Sequence, residues 1–435
     1  MSKLPPGSRG LPLLGQTLAF VKDPQGFLDA GHAEHGDVFL TNLFFADTVS
    51  LSGEKGLEVF NDARWFTRID SSPGHIQTLL DRDATPFIDP PTHTTRRVLL
   101  LQAFTDEALA AYIPTIWAIM TRYAEGWEQR KDLTWVPELS RMCFAIADSL
   151  FTGADPTVED ARTYALYQQF LGGIVTLPLA LPFTPYGKAL RARDGLLAHV
   201  SEAYERRKKD PGDDLLSRSI AARGEGGEQL EKREIVMEMV HFYTAYALVE
   251  AGLTYLVKAI AEHDDVRVKV FEELDTLPRD RAPTLAELRG LRYVQAVTKE
   301  SRRAVPLAPL TFFARAKEDV PFGEYTIPKG TKAVGCLSRT LMDERAYPSP
   351  RVFDPKRFLD DAELAKRHAF CPHGAGSKKG HRCLGEELAE VMLALFLARL
   401  TPYRWALAPG QDLSARKGWI FPTPMDGLKV AFTRI

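Results

Sequence analysis

The chain has 435 residues, 45% hydrophobic and 26% charged, with 55 Lys+Arg against 57 Asp+Glu, which is ordinary globular composition able to bury a large core. A formal charge of -2 excludes the basic field that nucleic acid requires and any strong acidic excess for basic partners. Four scattered cysteines, Cys143, Cys336, Cys371 and Cys383, make no disulfide framework and point to a reducing, cytoplasmic setting. Pro5, Pro6 and Pro12 break the N-terminal stretch where a signal peptide would need an apolar run. No stretch of ~18 apolar residues occurs anywhere, so neither secretion nor a membrane span is expected. Length alone suggests about three domains.

Residues 37 to 51 are rich in Val, Phe, Leu and Thr and predict short strands, followed by a helix over GEKGLEVF. From Asp106 to about Ile220, apolar residues at helical spacing alternate with Pro/Gly breaks at Pro178, Pro182 and Pro185. Residues 230 to 263 hold no proline and one glycine, Gly252, and predict one helix about 50 Å long at ~1.5 Å per residue. Its middle is apolar nearly all round, so it should cross the interior. After Ser301 the pattern turns to strands and turns, with a strand at Tyr325 to Ile327 and a turn at Pro328 to Gly330. A last helix is expected from Cys383 to Leu400. The fold class is mainly α with a smaller β region, the β-rich parts lying at about 35 to 55 and 304 to 335. No repeat, low-complexity tract or linker divides the chain.

Phe370 to Gly385 (FCPHGAGSKKGHRCLG) carries the most chemistry. Its glycines precede a cysteine at a predicted helix N-terminus, beside Arg382 and near Lys378 and Lys379, an arrangement that favours the metal-binding thiolate. The same loop admits tetrahedral zinc through Cys371, His373, His381 and Cys383. Elsewhere, Glu300 and Arg303 share a helix face at i, i+3, and His93 and Arg97 lie one turn apart after Pro90 and Pro91. Phe353 to Phe358 (FDPKRF) places Arg357 in a turn before the cysteine loop.

Taken in order, Glu300-x-x-Arg303, FDPKRF and the Gly-rich loop ending Cys383-Leu-Gly resemble the cytochrome P-450 superfamily over nearly the whole chain. The resemblance implies one heme domain over residues 1 to 435, with a long central helix over the heme and no fused reductase. Cys383 becomes the axial thiolate of heme b, and Glu300, Arg303 and Arg357 a buried scaffold beneath it. His93 and Arg97, with His381, Arg382 and Arg315, become heme or propionate contacts. Zinc has no use for these other motifs, so heme is preferred.

Two departures matter. Six residues separate Gly376 from Cys383, where the family usually has three, and the loop resembles that of the fatty-acid peroxygenase branch. In the long helix, the usual acid-threonine pair aligns with Ala247 and Leu248, neither able to relay a proton. Thr244 stands before Ala245, and Glu250 is the carboxylate left to act as proton donor. That branch's arginine is missing too: no Arg or Lys occurs from Glu234 to Val257, which disfavours a fatty acid held by a salt bridge. The expected pocket is lined by Thr244, Ala247, Leu248, Ala308, Leu310, Thr311 and the loop from Phe66 to Phe87. The expected protein is a monomeric monooxygenase-type oxidoreductase acting on a mostly apolar small molecule in specialised metabolism, with unusual oxygen activation. The alternatives are peroxide use, rearrangement of an O-O or N-O bond, or a non-catalytic heme sensor. A separate ferredoxin or flavodoxin with its reductase would dock near Lys378 and Lys379.

Overall fold

The long helix runs from Lys232 to Glu262, about 46 Å at ~1.5 Å per residue. A capping box closes its start, the Glu231 and Glu234 side chains each accepting from the other's backbone N-H. Leu253, Leu256, Val257 and Ile260 are fully buried in the main core, each worth about 1.5 to 3 kcal/mol relative to exposure. Around this rod pack the helices Trp135–Thr152, Pro185–Lys209, Arg292–Ala304 and Glu386–Leu400. The computed structural model describes residues 3–12, 15–416 and 421–435. Leu13 and Leu14 of the PPGSRGLPLLG opening lie outside the described residues.

The expected β regions meet in one five-stranded sheet, in the order Val38–Leu43, Ala46–Leu51, Lys332–Gly335, Ala314–Ala316 and Phe66–Thr67, the last strand lying outside them. Ala46–Leu51 runs parallel to Lys332–Gly335, which joins the two distant β segments. Val320–Phe322 and Tyr325–Ile327 form a hairpin. A third sheet of Leu133–Thr134, Lys429–Arg434 and Tyr403–Leu407 lies outside the β regions read from sequence. No described helix is long and apolar enough to cross a membrane.

One boundary differs from the sequence reading. The helix expected from Cys383 begins at Glu386. The Cys383 N-H instead donates to the His373 carbonyl at 3.0 Å, which keeps the cysteine in the loop. Glu386 and Glu387 then supply the acidic first turn that complements the helix dipole.

Candidate active site

A cavity of about 410 Å³ opens between the long helix, the cysteine loop and the segment Ala308–Phe313. Cys383 lines it, at the end of a loop that reverses through Gly374 (φ +82°) and Gly376 (φ +93°). At those angles a side chain would be strained even though a Cβ at Gly376 would meet nothing nearer than 3.7 Å. The sequence reading expected the thiolate to be favoured in the free chain. Burial, reinforced by Glu386, outweighs Gly385, Arg97 and Arg382, so the free thiol titrates above its usual range. A metal ion at the sulfur reverses that balance.

The cationic groups divide into those that reach the cavity and those that do not. Arg97 lines it, and its guanidinium donates to the Lys378 carbonyl (Nη2 at 2.6 Å) and the Arg382 carbonyl, which ties the Thr92–Leu101 helix to the cysteine loop. Burial pulls Arg97 down to about 10. His93 is buried, its ring 4.0 Å from that of His381, and its Nε2 has no partner among the described residues. Burial, then Arg97, lowers His93 to about 4, and burial drives cavity-lining His381 well below its usual value. Arg382 also lines the cavity, but its guanidinium is taken by Glu386 at 2.6 and 2.9 Å. Arg315 is not at the cavity; from a strand paired on both sides it donates to the Asp70 carbonyl at 2.8 Å. The cation that sequence reasoning missed is Arg68, which lines the cavity, is 5% exposed and leaves Nη1 unpartnered. It stacks 4.1 Å above the Phe60 ring, and burial lowers it to about 10 despite Asp89. No spacing marks it; only its place in the expected pocket loop could have drawn attention to it.

Behind the cysteine loop, Glu300 and Arg303 are both fully buried and meet through two bonds of 2.7 and 2.8 Å. Glu300 Oε1 also accepts from the Asp354 N-H at 2.9 Å and lies 3.6 Å from Arg357 Nε. Arg357 in turn holds the Pro348 and Ser349 carbonyls at 2.6 and 2.9 Å. The FDPKRF turn is thus latched to the Arg292–Ala304 helix.

On the long helix, Thr244 and Leu248 line the cavity, as do Ala308, Leu310 and Thr311. Ala247 is buried away from it. Thr244 Oγ1 spends its proton on the His241 carbonyl at 2.6 Å, and fully buried Thr254 does the same toward Glu250 at 2.8 Å. Glu250 is not a cavity residue. Its carboxyl faces Ser140 on the other flank, where burial raises it to about 7. Glu238 and His241, to which the sequence assigns no role, do line the cavity.

The zinc alternative fails. Cys371 is fully buried with its Sγ toward the Leu337 carbonyl, and among the described residues no three His, Cys, Asp or Glu groups converge on a metal position. An apolar slot with one thiol and, among the described residues, an unpartnered buried donor on Arg68, with His93 buried behind cavity-lining His381, instead fits a flat apolar macrocycle with two acidic tails. A family model described as Cytochrome P450 matches residues 5–431. The chain belongs to the cytochrome P450 family. It is accordingly a heme-dependent, monooxygenase-type oxidoreductase. Putative cytochrome P450 120 of Synechocystis sp. is 30% identical over 98% of this chain and 96% of its own length. Abscisic acid 8'-hydroxylase 2 of Arabidopsis thaliana is 26% identical over 100% and 90%, and taxane 13-alpha-hydroxylase of Taxus cuspidata 27% over 98% and 91%. The solved structure of retinoic acid-bound cyanobacterial CYP120A1 superposes with a TM-score of 0.89 at 29% identity over the whole of both chains. Cytochrome P450EX alpha (CYP152N1) with myristic acid shares the P450 fold at TM-score 0.81 and 22% identity, over 97% of each chain.

Proposed function

We propose that Cys383 is the axial thiolate of a heme b seated in this cavity, with Arg68, Arg97 and His93 serving its propionates, and that the chain works as one heme fold. When bound there, heme supplies the redox chemistry that places an oxygen atom on an unactivated carbon. The carrying observation is the position of Cys383 on the cavity wall opposite a long-helix face that presents Thr244, Ala245 and Leu248. Arg97, bonded to two carbonyls of the cysteine loop, fixes where the sulfur lies. Glu300, Arg303 and Arg357 hold the turn behind it, and Arg382 is kept by Glu386 as a loop clamp rather than a propionate ligand.

The substrate we propose is a terpenoid-like, mostly apolar molecule of specialised metabolism. The cavity wall of Phe20, Phe44, Ile76, Ile174, Val249 and Phe312 supports this, as do relatives named for taxane and abscisic acid hydroxylation. The route of oxygen activation is unusual, because Leu248 brings no hydroxyl to the cavity and the Thr244 hydroxyl is already committed. A water ordered by substrate, or peroxide carrying its own protons, replaces the missing relay. A small ferredoxin or flavodoxin with its reductase supplies electrons where dioxygen is used. Its landing site includes exposed Lys379, while Lys378 is partly neutralised by Glu387.

The reduced carbon monoxide adduct should show the red-shifted Soret band of thiolate ligation, and Cys383→Ala should lose it while keeping its far-UV circular dichroism. A wild-type chain that binds no heme sinks the reading. Product formed with dioxygen and a surrogate reductase, compared with peroxide alone, then separates the two oxidant routes.

A further inference from the structure

His241 faces the cavity from the long helix, and nothing in the reading above gives it a task. Its side chain is 16% exposed, its Nδ1 lies 3.4 Å from Glu238 Oε2, and its Nε2 has no protein partner among the described residues. Glu238 is a built-in counterion: it is fully buried, and its Oε1 accepts from the Thr85 N-H at 2.8 Å and the Thr85 hydroxyl at 2.6 Å. The same oxygen lies 3.4 Å from Arg96 Nη1, and Arg96 Nη2 reaches Glu234 at 2.6 Å.

The charges in this cluster decide what the imidazole can bind. Glu238 is the fully buried charge of the group, with Arg96 in contact and Arg97 farther off as its cationic neighbours, and a second buried negative charge beside it is costly. Burial pushes the Glu238 carboxyl up, but His241, Thr85 and Arg96 more than reverse it, so Glu238 stays ionised beside the ring. The ring, oriented by Glu238 at Nδ1, is left with Nε2 as its free hydrogen-bonding group toward the cavity. A carboxylate placed on it would set a second negative charge near buried Glu238; a neutral oxygen would not.

We propose that His241, oriented by Glu238, anchors a neutral carbonyl or hydroxyl oxygen of an otherwise apolar substrate. His241 precedes Leu248 by seven residues, about 10 Å along the helix axis at ~1.5 Å per residue. The anchored oxygen therefore lies far from the carbon presented near Leu248, and His241 sets which end of the molecule enters first. The inference rests on the heme-thiolate reading.

Retinal, retinol and retinoic acid share one skeleton and differ only in the terminal oxygen group. Their affinities for the holoenzyme are measured by the Soret shift and, independently, by calorimetry. Wild type should bind retinal and retinol more tightly than retinoic acid. His241→Phe should weaken the two neutral ligands about ten-fold or more and leave the acid little changed, and His241→Gln, which keeps a donor, should recover part of the loss. Regiochemistry should broaden in His241→Phe without a change in the carbon monoxide band. Equal affinities in wild type and His241→Phe overturn the proposal. So does tighter binding of the acid that depends on His241, and so does a wild-type holoenzyme with the thiolate band that takes up none of the three. Absence of the band itself defeats the heme-thiolate reading instead.

Discussion

Arg303→Met tests the latch behind the cysteine loop. The substitution keeps most of the side-chain volume but removes both bonds that Arg303 makes to Glu300 and its donation to the Leu341 carbonyl at 3.1 Å. Glu300 is then left fully buried with the Asp354 N-H at 2.9 Å and with Arg357 at 3.6 Å, too long for a hydrogen bond. Breaking a buried pair from one side costs about 3 to 5 kcal/mol. At about 2.1 cal/mol/K per residue, 435 residues give an unfolding entropy near 0.9 kcal/mol/K, so Tm should fall by about 3 to 6 °C. Urea unfolding of the holoenzyme followed by tryptophan fluorescence gives the free energy, and differential scanning calorimetry gives Tm. Glu300→Gln in the Arg303→Met background should recover part of the loss, because the orphaned charge is removed. A loss below about 1 kcal/mol, or a double variant no better than the single one, would refute the claim that burial of an unpaired carboxylate is what the latch prevents.

Arg68→Ala should release heme to excess apomyoglobin about 10- to 100-fold faster, the worth of a lost charge-assisted bond, while Arg315→Ala, away from the cavity, should match wild type; equal rates for all three would remove Arg68 from the heme seat. Glu250, raised from 4.5 to about 7 by burial, binds its proton more tightly folded than unfolded. Its contribution is therefore full below about pH 4.5 and is lost as pH rises through about 7. Glu250→Gln should flatten the decline in urea midpoint over that window, and an unchanged profile would show that the carboxyl is not desolvated. Leu248→Thr should change the ratio of product to reductant consumed, whereas Ala247→Thr, buried off the cavity, should not; the reverse pattern would place the helix in a different register.

Much of this was legible because the signals are local. Glu300 and Arg303 sit at i, i+3 on an amphipathic helix, and the proline-free run through the long helix admits no other element. Arg68 escaped because its role depends on a two-residue strand, Phe66–Thr67, pairing with Ala314–Ala316 across the chain, and strands that short carry no periodicity. Arg382 and Arg315 find protein partners that their sequence does not announce: charge in a loop says nothing about which partner reaches it first. For Arg382 that partner is Glu386, one helical turn ahead; for Arg315 it is a backbone carbonyl. Cys383 was expected to ionise readily by its position before a helix, but local charge could not be weighed against burial until the loop's depth was known.

The hold of Arg97 on the carbonyls of Lys378 and Arg382 bears on what keeps the cysteine loop in shape. Those bonds, with the Arg382–Glu386 pair, are made entirely within the polypeptide, so the sulfur is positioned by the chain itself. In zinc-finger peptides, by contrast, metal binding and folding are one event. Here the loop is braced by protein-to-protein bonds on both sides of Cys383, so the position of the sulfur does not depend on a metal bond alone.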